Sequence, residues 1–324
     1  MTEIQTLGGP LDTSQLGRVL MHEHIFNISL EVQGCWPGHN GWDPDVEIPK
    51  AQQKLSELKG AGYDTIVELS VLGLGRDVHL MQRAVEGSGL QVTVATGLYT
   101  YDVLPRMWHF SGPGTVLGGD EPLDALFKRD IEEGIQGTDI KAAMLKCAVD
   151  HDGLTDHVQR VLRACCRVHH QTDTPMTVHT HAPTERGLDV LKVLEEEGVD
   201  PHRVVLAHCG DSADLGYLEK LIHSGATLGM DRFGLNILLP FEERVATVAA
   251  LCESGYDDRM ILSHDANSFS DWFPPELHDQ VTPQWHYLHI EQDVLPALRE
   301  RGVTDEQIDQ MLVNTPRDFF ERTS

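Results

Sequence analysis

Eight short runs, nearly continuous in apolar character, recur along the chain at residues 18–26, 65–71, 91–99, 140–149, 175–179, 203–208, 226–231 and 259–263. They are rich in Val, Ile, Leu and Thr, as strands covered on both faces are. Helix-like segments separate them, at 50–60, 77–87, 123–134, 155–172, 185–198, 212–224 and 241–255. Several of these end at Gly, which readily takes the left-handed conformation that closes a helix. Leu154-Thr-Asp156 and Gly210-Asp-Ser212 offer N-caps. Strands that alternate with helices lie parallel, and eight such units predict an α/β chain closed as a (β/α)8 TIM barrel. No internal repeat or low-complexity linker interrupts the pattern, so residues 1–324 are expected to form one barrel domain.

A barrel of parallel strands collects whatever stands at their C-terminal ends. Here those are His22 and His24 after the first run, Lys146 within the fourth, His179 and His208 closing the fifth and sixth, and Asp265 after the eighth. Four imidazoles, a carboxylate and an amine would converge, with the active site at the C-terminal mouth. Eighteen histidines in 324 residues give about one His-x-His pair by chance, and two occur, so spacing alone decides little. The pair at 22 and 24 differs because period-two geometry puts both rings on one face of a strand and turns Glu23 away. Two imidazoles on an inward edge can share a cation.

Lys146 sits in the apolar run Met-Leu-Lys-Cys-Ala, where a charged amine is costly and its pKa should fall. Two readings stand. A neutral amine can take up carbon dioxide to give an anionic carbamate, or the lysine can pair with an acid such as Asp150.

Three long segments follow strands, at 27–49, 100–121 and 266–284, and so belong to the mouth. The first holds Trp36, Pro37, Trp42 and Pro44, and the third holds Phe269, Trp272, Phe273, Pro274 and Pro275. Their aromatics are either a pocket wall or small cores within the loops. Net charge is −26, which disfavours nucleic acid and anionic membranes as partners. The first ten residues carry neither a basic nor an apolar region, so no signal peptide is expected, and no run approaches a membrane span. Six cysteines without a Cys-x-x-Cys motif fit buried free thiols of a reduced cytoplasm.

The motifs Leu20-Met-His-Glu-His-Ile25, Leu145-Lys-Cys-Ala148, Thr177-Val-His-Thr180, Ala207-His-Cys-Gly-Asp211, Gly229-Met-Asp-Arg-Phe-Gly234 and Leu262-Ser-His-Asp265 stand in the order found in the phosphotriesterase family of the amidohydrolase superfamily. The resemblance runs from about Gly9 to Phe320. Thr96-Gly-Leu-Tyr-Thr-Tyr101 and Trp285-His-Tyr-Leu-His289 resemble the phosphotriesterase-like lactonases in particular. It implies two divalent metals, zinc first and cobalt, manganese or iron also accommodated, bridged by N6-carboxylated Lys146 and a hydroxide. His22, His24 and Asp265 would hold the more buried metal, and His179 and His208 the more exposed one. His181 would be no ligand, and His264 would point away. The implied reaction is hydroxide attack on a lactone, N-acyl homoserine lactones included, with organophosphate triesters as a side activity. A dedicated phosphotriesterase or another carboxylic ester hydrolase is the alternative, and a homodimer is implied. Asp265 would move the proton, and Tyr99, with Tyr101 as the alternative, would orient the ester. Arg232 would line the pocket and anchor the loop after strand eight, or else pair with Asp231 or another acid. The segment Ala266-Asn267-Ser268 departs from the bulky or Cys residues of close relatives and puts substrate range in question.

Overall fold

In the computed structural model, which describes residues 2–322, eight parallel strands form one sheet in sequence order. They are β1 (Val19–Glu23), β2 (Thr65–Glu68), β3 (Gln91–Gly97), β4 (Met144–Val149), β5 (Met176–Thr180), β6 (Val204–Ala207), β7 (Thr227–Met230) and β8 (Met260–Leu262). Every residue of these strands except Gln91 is buried. The longer helices between them are α1 (Pro44–Gly60), α2 (Val78–Val85), α3 (Pro122–Glu132), α4 (Asp156–Thr172), α5 (Arg186–Glu197), α6 (Leu215–His223) and α7 (Phe241–Glu253). The architecture is the expected (β/α)8 barrel. Its interior packs Val19, Met21, Val67, Ala95, Met144, Val205 and Ile261, and the helix-facing sides of the strands build a second apolar shell. A hairpin of Glu3–Thr6 with Gly9–Asp12 places Ile4 against the interior cluster, which also includes Phe319.

The sheet closes between β8 and β1 without a regular ladder. His22 N–H donates to the Ser263 hydroxyl at 2.9 Å, Asp265 N–H to His22 O at 3.0 Å, and His24 N–H to Ala266 O at 2.9 Å. Behind this seam the Glu23 carboxylate accepts from His264 N–H (2.9 Å), His264 Nδ1 (2.8 Å) and Ala266 N–H (3.0 Å). Glu23 and His264 therefore turn away from the mouth, as strand alternation requires. Farther out, Phe26–Asn27 pairs in parallel with Phe269–Ser270.

Local chemistry explains where two elements differ from expectation. The helix-like segment at 212–224 is capped by Asp214, which accepts from Tyr217 N–H, and not within 210–212. Cys209–Asp211 instead forms a 3-10 turn whose Asp211 carboxylate is taken by Arg232 and Arg244. The segment at 27–49 is less loop than expected, because α1 begins at Pro44. Asp43 caps it, and Pro at the first helical position gives up no hydrogen bond. Thr155 caps α4 by accepting from Val158 N–H. Among the described residues all six cysteines are free, and no helix is long and apolar enough to cross a membrane.

Candidate metal centre

Strand register brings the six candidates to one end of the barrel. Lys146 lies beside Gly97 of β3 and Thr177 of β5. Gly97 has φ 146°, and a Cβ there would sit 1.8 Å from Lys146 O, so only glycine lets β3 lie this close. Past the strand ends, His208 (φ 67°), Arg232 (φ 68°) and Asp265 (φ 54°) all take left-handed backbone, which non-glycine residues rarely adopt. Strain of this kind persists only where the surroundings over-determine it. Here it turns three candidate side chains back over the mouth.

All six candidates, with Tyr99 and Arg232, line one cleft enclosing about 540 Å³ including its opening. Asp265 Oδ1 lies 3.0 Å from His24 Nε2 and 3.3 Å from His22 Nε2. Across the cleft His208 Nε2 and His179 Nδ1 face each other at 2.9 Å, and Lys146 Nζ is 3.2 Å from His22 Nε2.

The opposite nitrogen of each ring is held by a neighbour, and this sets the tautomers. Asp231 takes two rings at once, with Oδ2 2.7 Å from His22 Nδ1 and Oδ1 2.8 Å from His208 Nδ1. His24 Nδ1 donates to the Ser70 hydroxyl at 2.8 Å, which passes its own proton to Glu68. His179 Nε2 donates to Asp150. Each ring thus turns its other nitrogen toward the cleft. Burial holds His22 and His208 below the usual imidazole range and His179 at about 4, so these three are neutral and present lone pairs. His24 differs. Burial opposes its protonation, but Asp265 and Glu68 outweigh it and raise the ring to about 9. Without a metal, its Nε2 proton bridges to Asp265. Although burial works against the anion, the surrounding His22, His24, His208 and Arg232 keep Asp265 ionised well below the usual carboxylate range.

Two lone pairs opposed at 2.9 Å repel unless a cation stands by them. The arrangement therefore fits divalent metal, and His22, His24 and Asp265 offer donor atoms within 4.8 Å of one another. His22, His208 and Asp231 are equally close, but the Asp231 oxygens are spent on the Nδ1 atoms and so orient the rings.

Lys146 is 1% exposed, and burial lowers its amine to about 8. It is not paired with Asp150, which goes to His179. Among the described residues no carboxylate stands within ion-pair distance of its Nζ. Arg232 pairs with acids other than its neighbour Asp231: Nε donates to Asp265 Oδ2 and Nη1 to Asp211 Oδ2, both at 3.0 Å. Arg244 holds the far oxygen of Asp211 at 2.6 Å. Tyr99 Oη lies 3.1 Å from His179 Nδ1 and touches the Tyr101 hydroxyl, and burial raises both phenols. His181 lies outside the cleft and bonds Thr184. Of the aromatics after β8, Trp272 and Phe273 line the cleft with Trp285. Phe269 does not, because it packs on Trp42 behind the wall. The holding roles of Asp231, Ser70, Glu68 and Asp211 escaped sequence reasoning, in which Asp231 stood only as a possible partner of Arg232. The visible signal for Asp231 was an acid closing an apolar strand.

A barrel mouth furnished in this way belongs to the metal-dependent hydrolases. The phosphotriesterase family model matches residues 2–320, and the chain is a member of that family. It is 51% identical over 322 residues to a phosphotriesterase homology protein of Mycobacterium tuberculosis, covering 99% of this chain and 98% of the relative. It is 35% identical over 312 residues to an aryldialkylphosphatase of Saccharolobus solfataricus, covering 96% of each. The solved structure of the phosphotriesterase from Mycobacterium tuberculosis matches with a TM-score of 0.97 at 51% identity, over 99% of both chains.

Proposed function

We propose that this enzyme opens lactones, N-acyl homoserine lactones among them, at a two-metal centre, with slower hydrolysis of organophosphate triesters. The observation that carries the reading is the convergence of imidazole lone pairs, the Asp265 carboxylate and an amine without an acid partner on one cleft. His22, His24 and Asp265 would hold the more buried cation, and His179 and His208 the more exposed one, with zinc the first expectation. Lys146, as a carbamate, would supply an anionic ligand shared by both. Its neutral amine bonds to the carbon of carbon dioxide, one C=O bond opens to an anionic oxygen, and the N–H proton leaves to solvent. The depressed Lys146 pKa supports that step.

Bound divalent cations supply Lewis acidity, lowering the pKa of a water and polarising the scissile carbonyl or phosphoryl oxygen. The chain supplies the rest. Asp265 accepts the proton of the attacking water on a carboxylate oxygen. Arg232 donates to Oδ2 of that carboxylate and, because a guanidinium keeps its protons, positions it and does not relay from it. Tyr99, protonated at neutral pH, donates to the ester. Leu74, Leu235, Trp272, Phe273 and Trp285 give an apolar wall for an acyl chain.

A second reading, a dedicated phosphotriesterase or other ester hydrolase on the same centre, is favoured by the name of the 35%-identical aryldialkylphosphatase. In either reading residues 1–324 act as one barrel domain in a reduced cytoplasm, supported by the six free thiols. A homodimer is supported by Val103, Met107, Phe110, Val116 and Leu117, which the loop after β3 leaves exposed. Metal analysis of the reconstituted protein, joined to a lactone and triester panel, tests the whole proposal. Two metals per chain and a lactone preference are expected. One metal or none overturns the centre, and a triester preference selects the second reading.

A further inference from the structure

The segments after β1 and β8 meet at one buried carboxylate. Asp271 follows Phe269–Ser270 and is 2% exposed. It stands between Ser270 and Trp272, which both line the cleft, while its own side chain turns to the segment after β1. Both Oδ1 and Oδ2 accept from Ser29 N–H at 2.9 Å; Oδ1 also accepts from the Ser29 hydroxyl at 3.0 Å, and Oδ2 from Gln33 Nε2 at 2.8 Å. The main chain is bound to the same segment. Asp271 N–H donates to Asn27 O at 3.0 Å, and Asn40 Nδ2 donates to Asp271 O at 2.8 Å. One residue after β8 thus bonds four residues after β1. None of these donors is charged, and among the described residues no lysine, arginine or histidine pairs with Asp271.

A buried carboxylate without a cation is tolerated only where neutral donors replace its water. Its bonds are therefore mutually dependent. Removing the carboxylate orphans the donors of Ser29 and Gln33, and removing a donor leaves an anionic oxygen unsatisfied. Gln33 carries the tie on into its own segment, with Nε2 also reaching His39 O at 3.0 Å and Oε1 accepting from Gly38 N–H at 3.1 Å. The cleft wall depends on such a tie. Trp272 is 49% exposed and belongs to neither apolar cluster, so its place is set by its backbone more than by packing. That backbone starts from Asp271, and the Trp272 N–H donates back to Ser270 Oγ at 3.2 Å.

We propose that Asp271 is a positioning residue for substrate selection: it joins the two mouth segments into one unit and thereby fixes Trp272 and Phe273 in the cleft wall. It touches no substrate and acts through the backbone that it holds. Loosening the tie from either side lets the wall move, and discrimination between substrates that differ only beyond the scissile group is lost, because such discrimination follows the contacts the wall makes in the transition state. The candidate metal ligands are held by other bonds, to Asp231, Ser70 and Asp150. The proposal rests on the lactone reading for its choice of substrates, but the coupling of the two segments is read without turnover.

Two measurements on the metal-loaded enzyme test it, with Asp271→Ala, Asp271→Asn and the milder Gln33→Ala beside wild type. In amide hydrogen exchange read by mass spectrometry, Asp271→Ala should speed exchange about tenfold in residues 28–40 as well as 269–273, and Gln33→Ala should speed it in 269–273 as well as in its own segment. The second measurement is the ratio of kcat/KM for two γ-lactones that differ only in an octyl or a butyl tail. The ratio does not depend on the fraction of folded enzyme, so a merely structural role leaves it unmoved. Wild type should prefer the octyl compound. That preference should fall about fivefold in Asp271→Ala and Gln33→Ala, mainly through KM, with Asp271→Asn, which keeps one accepting oxygen, in between. Exchange that rises only in the segment carrying the substitution overturns the proposal, and so does a ratio that the variants leave unchanged. If wild type hydrolyses neither lactone, the lactone reading fails, and the same ratio is read on diethyl and dibutyl aryl phosphates.

Discussion

At the scale of single residues, Lys146 ties burial to chemistry. Its amine titrates at about 8, so near pH 7 about one molecule in ten carries it neutral and ready for carbon dioxide. Because only the neutral form reacts, metal reconstitution of apoprotein at a fixed carbon dioxide pressure should speed up roughly tenfold per unit as pH rises from 6 to 7, and level off above 8. A pH-independent rate would separate metal uptake from carbamate formation. Lys146→Ala should lose metal and activity, and short carboxylic acids should restore part of both, since they supply the missing oxygens. Full activity in that variant would rule out the bridge. Tyr99 offers a second test. Its protonated hydroxyl stands 3.1 Å from His179 Nδ1 at the edge of the cleft. Tyr99→Phe should lower lactone kcat/KM about tenfold and triester kcat/KM less, because only the planar ester is oriented by one donor. If lactone turnover is unchanged, the role passes to Tyr101 or to no tyrosine.

At the scale of elements, the metal site and the closing seam of the barrel share one structure. The Glu23 carboxylate accepts three N–H groups from His264 and Ala266, on either side of Asp265. Glu23→Ala leaves those donors buried and unpaired and should cost about 3 kcal/mol in urea unfolding, with weaker metal retention. A stability loss without any change in metal retention would show that the seam and the site are independent. Just past β7, Asp231 holds the rings of His22 and His208 through separate oxygens. An amide can accept from only one of them, so Asp231→Asn should weaken metal binding 10- to 100-fold by chelator competition, with little change in fold by circular dichroism.

At the scale of the whole molecule, the fold provides a rigid mouth and the segments after the strands shape what enters it. The cleft pairs a polar metal floor with Trp272, Phe273, Trp285, Leu74 and Leu235. One such wall suits an acyl tail on a planar ester better than three substituents around tetrahedral phosphorus. Lactone kcat/KM should exceed that for paraoxon-type triesters by at least about a hundredfold, equivalent to roughly 2.7 kcal/mol of differential transition-state binding. Equal or reversed efficiencies, measured on the same metal-loaded preparation, would favour the phosphotriesterase reading.

Alternation of apolar and amphipathic segments was enough to read the barrel, because hydrophobic periodicity is local and each strand had to be covered on both faces. The same periodicity placed His22, His24, Lys146, His179, His208 and Asp265 at strand ends, and their convergence follows from closure of the sheet. The sequence was silent about which partner each group would choose. Asp150 lies four residues from Lys146 yet serves His179, and Arg232 adjoins Asp231 yet serves Asp211 and Asp265. Phe269 looked like its pocket-lining neighbours but packs behind the wall. These choices depend on side-chain direction across strands far apart in the chain. So do the left-handed turns at His208, Arg232 and Asp265, which no local propensity favours and which the surrounding hydrogen bonds and packing sustain. Pattern along the chain determined the barrel and its functional end; the tautomers and the ionisation of Asp265 were decided by tertiary contacts.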